Sequence, residues 1–224
     1  MARLYGMRRS RASRNLWLAG EIGIVLDLVP VWQSYRLRDP QAPGAPLNTA
    51  SPEFLAINPA GAVPVLDEDG FILTESQAIN LHLARRDPGG IGPADAREDA
   101  LMQAWALYGA TALEEAALAV QLVHDRGRQD EADGKAGVAA AVARLARPLK
   151  VLEAHLAREG QIAGHRFTVA DINMAEIIRY ATAAPGVLAP FPAVAGWLAA
   201  CQSRPAFGDM WALRAAEPER HPSA

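Results

Sequence analysis

Cysteine is almost absent from this 224-residue chain, which carries a single one at Cys201. A lone cysteine cannot form an internal disulfide, so the sequence predicts a reducing, cytoplasmic setting. The same scarcity excludes a metal site built on paired cysteines, and no metal site is expected.

Long apolar runs and an excess of one charge are also missing. No stretch approaches the roughly 20 apolar residues that span a bilayer, and residues 1–5 lack the apolar core of a signal peptide. The net charge is −3, which favours neither nucleic acid nor a membrane surface as a partner. Half of the residues are hydrophobic, enough for a buried core.

The first 85 or so residues alternate between strand-like and helix-like patterns. Their predicted strands are Ala2–Gly6, Val25–Val31, Val63–Leu66 and Phe71–Thr74, and their predicted helices are Ser13–Gly23 and Glu75–Arg85. The order βαβ followed by ββα indicates a small α/β domain with a right-handed crossover. The long connection between residues 33 and 59 contains several prolines, and such connections are often functional.

Helical patterns follow a break at Asp87–Gly90, where we place the linker between two domains. Apolar residues recur at helical spacing at Leu101, Trp105, Tyr108 and Ala112, and again from Val138 to Leu156. Pro148 is expected to kink or split the second of these helices. Residues 125–134 predict a turn, Val169–Ala183 and Ala193–Ser203 predict further helices, and the polar tail from Glu217 to Ala224 is expected to be mobile.

Two linked motifs carry most of the functional information. In Asn58–Leu66, a cis bond before Pro64 would turn the backbone of Val63 outward, where it could pair with a peptide ligand. In Leu73–Ile79, Glu75 and Ser76 stand at the start of a helix, where free N–H groups favour a carboxylate.

These two runs resemble the glutathione-binding segment of the glutathione transferase family. The resemblance implies a thioredoxin-like N-terminal domain over residues 1–86 and an all-helical C-terminal domain over residues 95–224. It also implies a homodimer, with glutathione as a co-substrate and no cofactor. In such a protein Val63 would pair with the cysteinyl backbone of glutathione across cis-Pro64, and Glu75 and Ser76 would hold its γ-glutamyl end.

A second match lies in Phe167–Ile172, which reads Phe-Thr-Val-Ala-Asp-Ile. The Thr168 hydroxyl can cap the helix that follows, and Asp171, three residues later, can reach back to the backbone of Thr168. The run is similar to the capping box of the family's C-terminal domain. We expect it to be structural, with no catalytic role for Asp171.

The resemblance implies that the group activating the thiol lies just after the first strand. No cysteine lies there, which argues against the branches of the family that form mixed disulfides. Ser10 stands where the serine-type branches carry their catalytic hydroxyl, and a hydroxyl donating to sulfur favours the thiolate. Ser13 is the competing candidate, or else the N-cap of the first helix. Tyr5 is a third, expected to lie within the strand with its ring partly buried.

Basic residues crowd around this hydroxyl, at Arg8, Arg9, Arg11 and Arg14. They form either a solvated loop or a group in which Arg11 and Arg14 lower the thiol pKa or bind an anionic group. Two side chains that often contact glutathione in the family are replaced here, one by Ala62 and the other at Thr49 and Ala50. Gln33, Arg36 or Arg38 could compensate from the long loop.

The second substrate is expected between the domains, with Trp105, Tyr108 and Thr111 as candidate lining residues. The sequence favours Trp105 as a core residue and Tyr108 as a residue that lines the pocket of the second substrate. The function predicted is conjugation of glutathione to small, mostly apolar electrophiles, typical of detoxification. The alternatives are a glutathione-dependent isomerase, dehalogenase or etherase of the same fold, or a non-catalytic member that binds glutathione or a partner protein.

Overall fold

The computed structural model of the protein describes residues 2–221, and the chain forms two compact units. Of the described residues, one unit contains 2–86 together with 205–221, and the other is Asp87–Arg204. The sequence placed everything after residue 95 in a single helical domain. The structure differs at the end of the chain, where the last helix packs on the first helix of the N-terminal unit.

The N-terminal unit is built on a four-stranded sheet. Its elements are β1 (Ala2–Gly6), α1 (Ala12–Ile22), β2 (Asp27–Pro30), α2 (Pro52–Leu55), β3 (Val65–Glu68), β4 (Phe71–Thr74), α3 (Ser76–Ala84) and α9 (Pro205–Ala216). The strands lie in the order β2-β1-β3-β4, with β1 and β2 parallel and the other pairs antiparallel. The predicted βαβ and ββα order is therefore confirmed, although β3 begins at Val65, two residues later than predicted.

The contact between α1 and α9 explains why the last helix belongs to this unit. A Cβ placed on Gly20 would lie 3.2 Å from the Cβ of Ala206, so the two helices approach closely at this glycine. Beside it, the rings of Trp17 and Phe207 meet edge to face with centroids 4.9 Å apart. Periodicity along one helix cannot reveal which distant helix covers it.

The helical unit contains α4 (Ala96–Tyr108), α5 (Glu114–Asp125), α6 (Ala132–Glu159), α7 (Val169–Ala181) and α8 (Pro192–Gln202). A short π-helical segment, Gly109–Leu113, joins α4 to α5. Helix α6 runs for 28 residues with Pro148 inside it, so the proline does not split the helix. All thirteen residues of α7 are buried, which makes it the central helix of this unit.

The apolar stripe predicted on α4 is not the face that packs against α7. Leu101 is exposed and Trp105 is only half-buried, so the prediction of Trp105 as a core residue was wrong. The buried side of the segment is lined instead by Met102, Ala106 and Gly109. Small residues let α7 approach, since a Cβ on Gly109 would lie 2.8 Å from the Ile177 Cδ1. The close approach of α7 at Gly109 thus goes with burial of this side of the segment rather than of the predicted apolar stripe.

The predicted capping box at the start of α7 is confirmed. Asp171 Oδ2 accepts from the Thr168 backbone N–H at 2.8 Å and from its hydroxyl at 3.1 Å. Asp171 Oδ1 accepts from the Ile162 N–H at 2.9 Å and from the Trp197 indole N–H at 2.8 Å. Burial raises the pKa of Asp171, and these hydrogen bonds oppose the rise. The carboxylate therefore ties a loop and α8 to the first turn of α7, a structural role.

Candidate functional site

Ser10 lies in the turn between β1 and α1, with 9% of its surface exposed. Its hydroxyl donates to the Met7 C=O at 2.6 Å and accepts from the Ala12 N–H at 3.1 Å. The acceptance satisfies one of the N–H groups that a helix leaves open at its start. Ser10 thus stands at the positive end of α1, where an anion is stabilised.

The two other candidates for the hydroxyl occupy different positions. Ser13 is fully buried inside the first turn of α1, so it is not the N-cap of that helix. Tyr5 lies within β1, paired with Val65 and Val29. Its half-buried ring packs near Phe54 with centroids 6.5 Å apart, as the sequence predicted.

The peptide bond between Val63 and Pro64 is cis, as predicted. Within residues 2–221, neither the N–H nor the C=O of Val63 has a hydrogen-bond partner. The turn before it is held by Asn58, whose side chain donates to the Ala62 C=O at 2.8 Å and accepts from the Ala60 N–H at 3.2 Å. This edge therefore offers a backbone donor and acceptor to an extended ligand.

The start of α3 forms a polar corner with α1. The Ser76 hydroxyl accepts from Arg14 Nη1 at 3.1 Å, and the guanidinium of Arg14 is almost fully buried. Asn15 donates to the Ser76 C=O at 2.9 Å and to Asn80 Oδ1 at 2.7 Å. A buried cation thus lies beside the N-terminus of a helix, and both favour an anion.

Glu75, immediately before this helix, is exposed and has φ +66. A non-glycine residue held in this region stores about 1–3 kcal/mol of strain, and such residues cluster at ligand sites. Glu75 and Ser76 were predicted from the sequence as site residues, whereas Asn15 and Asn80 were not. Two asparagines inside predicted helices, where asparagine is unfavourable, were the available signal.

Gly6 connects the Ser10 turn to the Val63 edge. A Cβ placed on Gly6 would lie 3.6 Å from Ser10 Oγ, 3.7 Å from the Val63 Cβ and 3.1 Å from the Ala12 Cβ. The candidate hydroxyl of Ser10 and the peptide-binding edge at Val63, which the sequence predicted separately, therefore lie close together in the N-terminal unit. Gly6 was not among the predicted site residues, although it is a glycine directly before the candidate turn.

The basic residues around Ser10 do not form one solvated loop. Arg14 is buried at the corner between α1 and α3, and Arg11 is half-buried as the N-cap residue of α1.

Arg9 makes an ion pair with Glu219 at 3.0 Å and donates to the Glu217 C=O at 2.6 Å. The tail predicted to be mobile thus contacts the turn through Glu217 and Glu219, and residues 222 to 224 lie outside the described part. Arg36 donates to the Arg9 C=O at 2.6 Å, so this guanidinium braces the turn.

The three residues predicted to line the second pocket all lie in the helical unit. Trp105 packs edge to face on Tyr108, with centroids 5.4 Å apart, and also lines an open cavity of about 750 Å³ beside α6. The Tyr108 hydroxyl donates to the Pro148 C=O at 3.2 Å, and burial raises the pKa of Tyr108. Thr111 is exposed and its hydroxyl donates to the Leu107 C=O at 2.8 Å.

Comparison with known proteins decides the family. Residues 4–91 match the model of the glutathione S-transferase N-terminal domain, and residues 110–205 match that of the C-terminal domain. Glutathione S-transferase 3 of Zea mays is 33% identical over 217 residues, which cover 92% of this chain and 90% of the maize protein. The chain belongs to the glutathione S-transferase family.

Solved structures agree with this assignment to the glutathione S-transferases. Glutathione transferase F7 from Populus trichocarpa is 26% identical with a TM-score of 0.79, covering 96% of this chain and 99% of that one. A theta-class glutathione S-transferase from Xanthomonas axonopodis pv. citri, solved with glutathione bound, is 25% identical with a TM-score of 0.79. That match covers 93% of this chain and 95% of the other.

The predicted fold, a thioredoxin-like domain followed by a helical one, and the predicted glutathione transferase family are therefore confirmed. Among residues 2–221, no group of three or more histidine, cysteine or acidic side chains is arranged to hold a metal ion. Over the same residues, every helix is too short or too polar to cross a bilayer.

Proposed function

We propose that the protein conjugates glutathione to small, mostly apolar electrophiles, with the Ser10 hydroxyl activating the thiol. The observation that carries this proposal is the meeting of Ser10 and Val63 beside Gly6. A peptide whose backbone pairs with Val63 would present its thiol next to the hydroxyl at the start of α1. The solved relative with glutathione bound supports this tripeptide as the ligand.

The rest of glutathione would lie toward the start of α3. Its γ-glutamyl carboxylate is proposed to bind the α3 N-terminus at Glu75 and Ser76. Arg14, which donates to the Ser76 hydroxyl, adds positive charge at this corner. Arg11 is proposed as a further cation near the peptide, since it occupies the N-cap position of α1 directly after Ser10.

Activation of the thiol requires one movement of the Ser10 hydroxyl. Without ligand its proton is donated to the Met7 C=O, an oxygen that also accepts the Ser10 N–H at 3.0 Å. Rotation of the hydroxyl toward sulfur therefore leaves Met7 with a hydrogen bond. The thiol releases its proton to water, and the donated bond stabilises the resulting thiolate relative to the thiol. A free thiol of pKa about 8.5 thereby gains reactivity at neutral pH. The thiolate then attacks an electrophilic carbon, whose leaving group departs with the electron pair of the broken bond.

The electrophile is proposed to contact Trp105, Tyr108 and Thr111, and the protein is proposed to act as a homodimer without a cofactor. An isomerase, dehalogenase or etherase would use the same thiolate and differ in the second substrate. A non-catalytic member is the second candidate, favoured by the exposed Ala62, which has no polar side chain to offer glutathione.

The proposal is tested by the thiolate absorbance of bound glutathione as a function of pH. A hydrogen bond to a charged group is worth about 1.5–3 kcal/mol, and one pKa unit corresponds to about 1.4 kcal/mol. Ser10→Ala should therefore raise the thiol pKa by about one to two and lower the conjugation rate with a generic aromatic halide. Ser13→Ala separates the two candidate serines, and Ser203→Ala, at an exposed serine outside the site, is the matched control.

If Ser10→Ala leaves the thiol pKa of bound glutathione unchanged and Ser13→Ala raises it, Ser13 is the residue that activates the thiol. Glutathione binding with no lowering of the thiol pKa in the parent protein would favour the non-catalytic member. Absence of binding to immobilised glutathione would contradict both.

A further inference from the structure

Ser10 is the last residue of a tight turn that begins at Met7. The Met7 C=O accepts both the backbone N–H and the hydroxyl of Ser10. The two central residues, Arg8 and Arg9, have no partners for their backbone groups within the turn itself. Their four groups, two N–H and two C=O, must be satisfied from elsewhere because unpaired backbone groups at a half-buried site are costly.

All four are satisfied by charged side chains distant in sequence. Glu217 accepts the Arg8 N–H at 3.0 Å on one oxygen and the Arg9 N–H at 2.7 Å on the other. Arg214 donates to the Arg8 C=O at 2.9 Å, and Arg36 donates to the Arg9 C=O at 2.6 Å. Hydrogen bonds that include an ionised group are the stronger kind.

Glu217 is itself fixed on both sides. Its own C=O accepts from Arg9 Nε at 2.6 Å, and helix α9, which ends directly before it, packs along α1. The Glu217 side chain is 10% exposed, whereas that of Glu219, which also pairs with Arg9, is 79% exposed. The two acids on the same tail therefore differ sharply, and only Glu217 is placed to hold the backbone of the turn.

We infer that Glu217 is a positioning residue for thiol activation, acting through the Arg8–Arg9 turn on the Ser10 hydroxyl. This inference rests on the proposed function of Ser10. Both carboxylate oxygens engage the peptide groups that directly precede Ser10, so the turn keeps its shape only while the tail is docked. A displacement of about 1 Å at a reacting group can reduce the rate about a hundredfold. Glu217 thus belongs functionally to a site formed by residues more than 200 positions earlier in the sequence.

The test uses the full-length protein with Glu217→Ala, Glu217→Gln and the control Glu219→Gln. In the ligand-free protein, amide hydrogen exchange at Arg8 and Arg9 should accelerate in Glu217→Ala and stay unaltered in the control. With glutathione bound, the thiol pKa should rise toward that of free glutathione. The kcat/KM should fall by about tenfold, with kcat carrying most of the loss. Glu217→Gln keeps one acceptor oxygen, and its effects should be intermediate.

A structural role alone predicts a different pattern. The inference is overturned if Glu217→Ala lowers the melting temperature but leaves the thiol pKa of bound glutathione unchanged when that pKa is measured well below the melting temperature. It is also overturned if Glu219→Gln produces the same loss. Should Ser10→Ala raise the thiol pKa while Glu217→Ala does not, the proposed function stands and the positioning role fails. If the parent protein does not lower the pKa of the glutathione thiol, both the proposed function of Ser10 and the positioning role of Glu217 are contradicted.

Discussion

Replacing Asp171 tests the network that joins the start of α7 to its neighbours. Three N–H donors point at this buried carboxylate, from Ile162, Thr168 and Trp197. Asp171→Ala leaves all three without their acceptor, and each buried donor left unpaired costs about 1–3 kcal/mol. Entry of water into the new cavity offsets part of that sum, so we expect a loss of about 3–5 kcal/mol in the free energy of unfolding.

The isosteric change Asp171→Asn should cost much less. Its amide oxygen can keep the two bonds that Oδ1 accepts, from Ile162 and Trp197. Its NH₂ group then faces the Thr168 N–H, leaving one donor unpaired, while the Thr168 hydroxyl can rotate to accept. One orphaned donor corresponds to about 1–2 kcal/mol.

Urea unfolding followed by far-ultraviolet circular dichroism measures both variants. Asp130→Ala is the control, since that carboxylate is exposed in the turn before α6, and it should change stability by less than about 0.5 kcal/mol. Equal m-values would show that the variants unfold the same structure. A loss below about 1 kcal/mol in Asp171→Ala, or equal losses in the alanine and asparagine variants, would refute the network as described.

Two further predictions concern the N-terminal unit. Burial raises the pKa of Glu68, but hydrogen bonds and charge from His82 and Arg86 outweigh it and hold that pKa below its ordinary value. Its contribution to stability is therefore present above the unfolded pKa of about 4.3 and is lost as the pH falls through the folded pKa. Glu68→Gln should be about 1 kcal/mol less stable than the parent at about pH 7. The gap should close in acid unfolding titrations, and a gap that persists at about pH 2 would contradict the ion-pair account. Gly61→Ala places a Cβ at φ +59 and 2.8 Å from a backbone oxygen. Gly23→Ala is the control, because Gly23 also has a positive φ, +69, but a Cβ there would meet no atom within 4 Å. Backbone strain alone should then lower the free energy of unfolding by about 1–2 kcal/mol. Thermal unfolding should show a larger loss for Gly61→Ala, and glutathione retention should fall with it; equal losses would mean that the close contact relaxes.

Much of the site was readable from the sequence because its signals are local. The turn around Asn58, the proline before β3 and the residues at the start of α3 lie within about 20 residues of one another. The capping box at Thr168 is set by neighbours three residues apart, and the structure confirms it. Local rules of helix capping and strand initiation act over such distances.

The tertiary structure decided what those rules cannot reach. Only the folded protein shows that Gly6 brings Ser10 and Val63 to one point, that Arg14 is buried against Ser76, and that α7 approaches the chain closely at Gly109. The tail was predicted to be mobile because it is polar, yet Glu217 docks on a turn 208 residues earlier in the sequence. By itself the sequence determined the family and the order of the four strands with α1 and α3, through patterns shared by neighbouring residues. Which distant groups satisfy each other's hydrogen bonds and charges depends on how the helices and strands pack, and packing is a property of the whole folded unit.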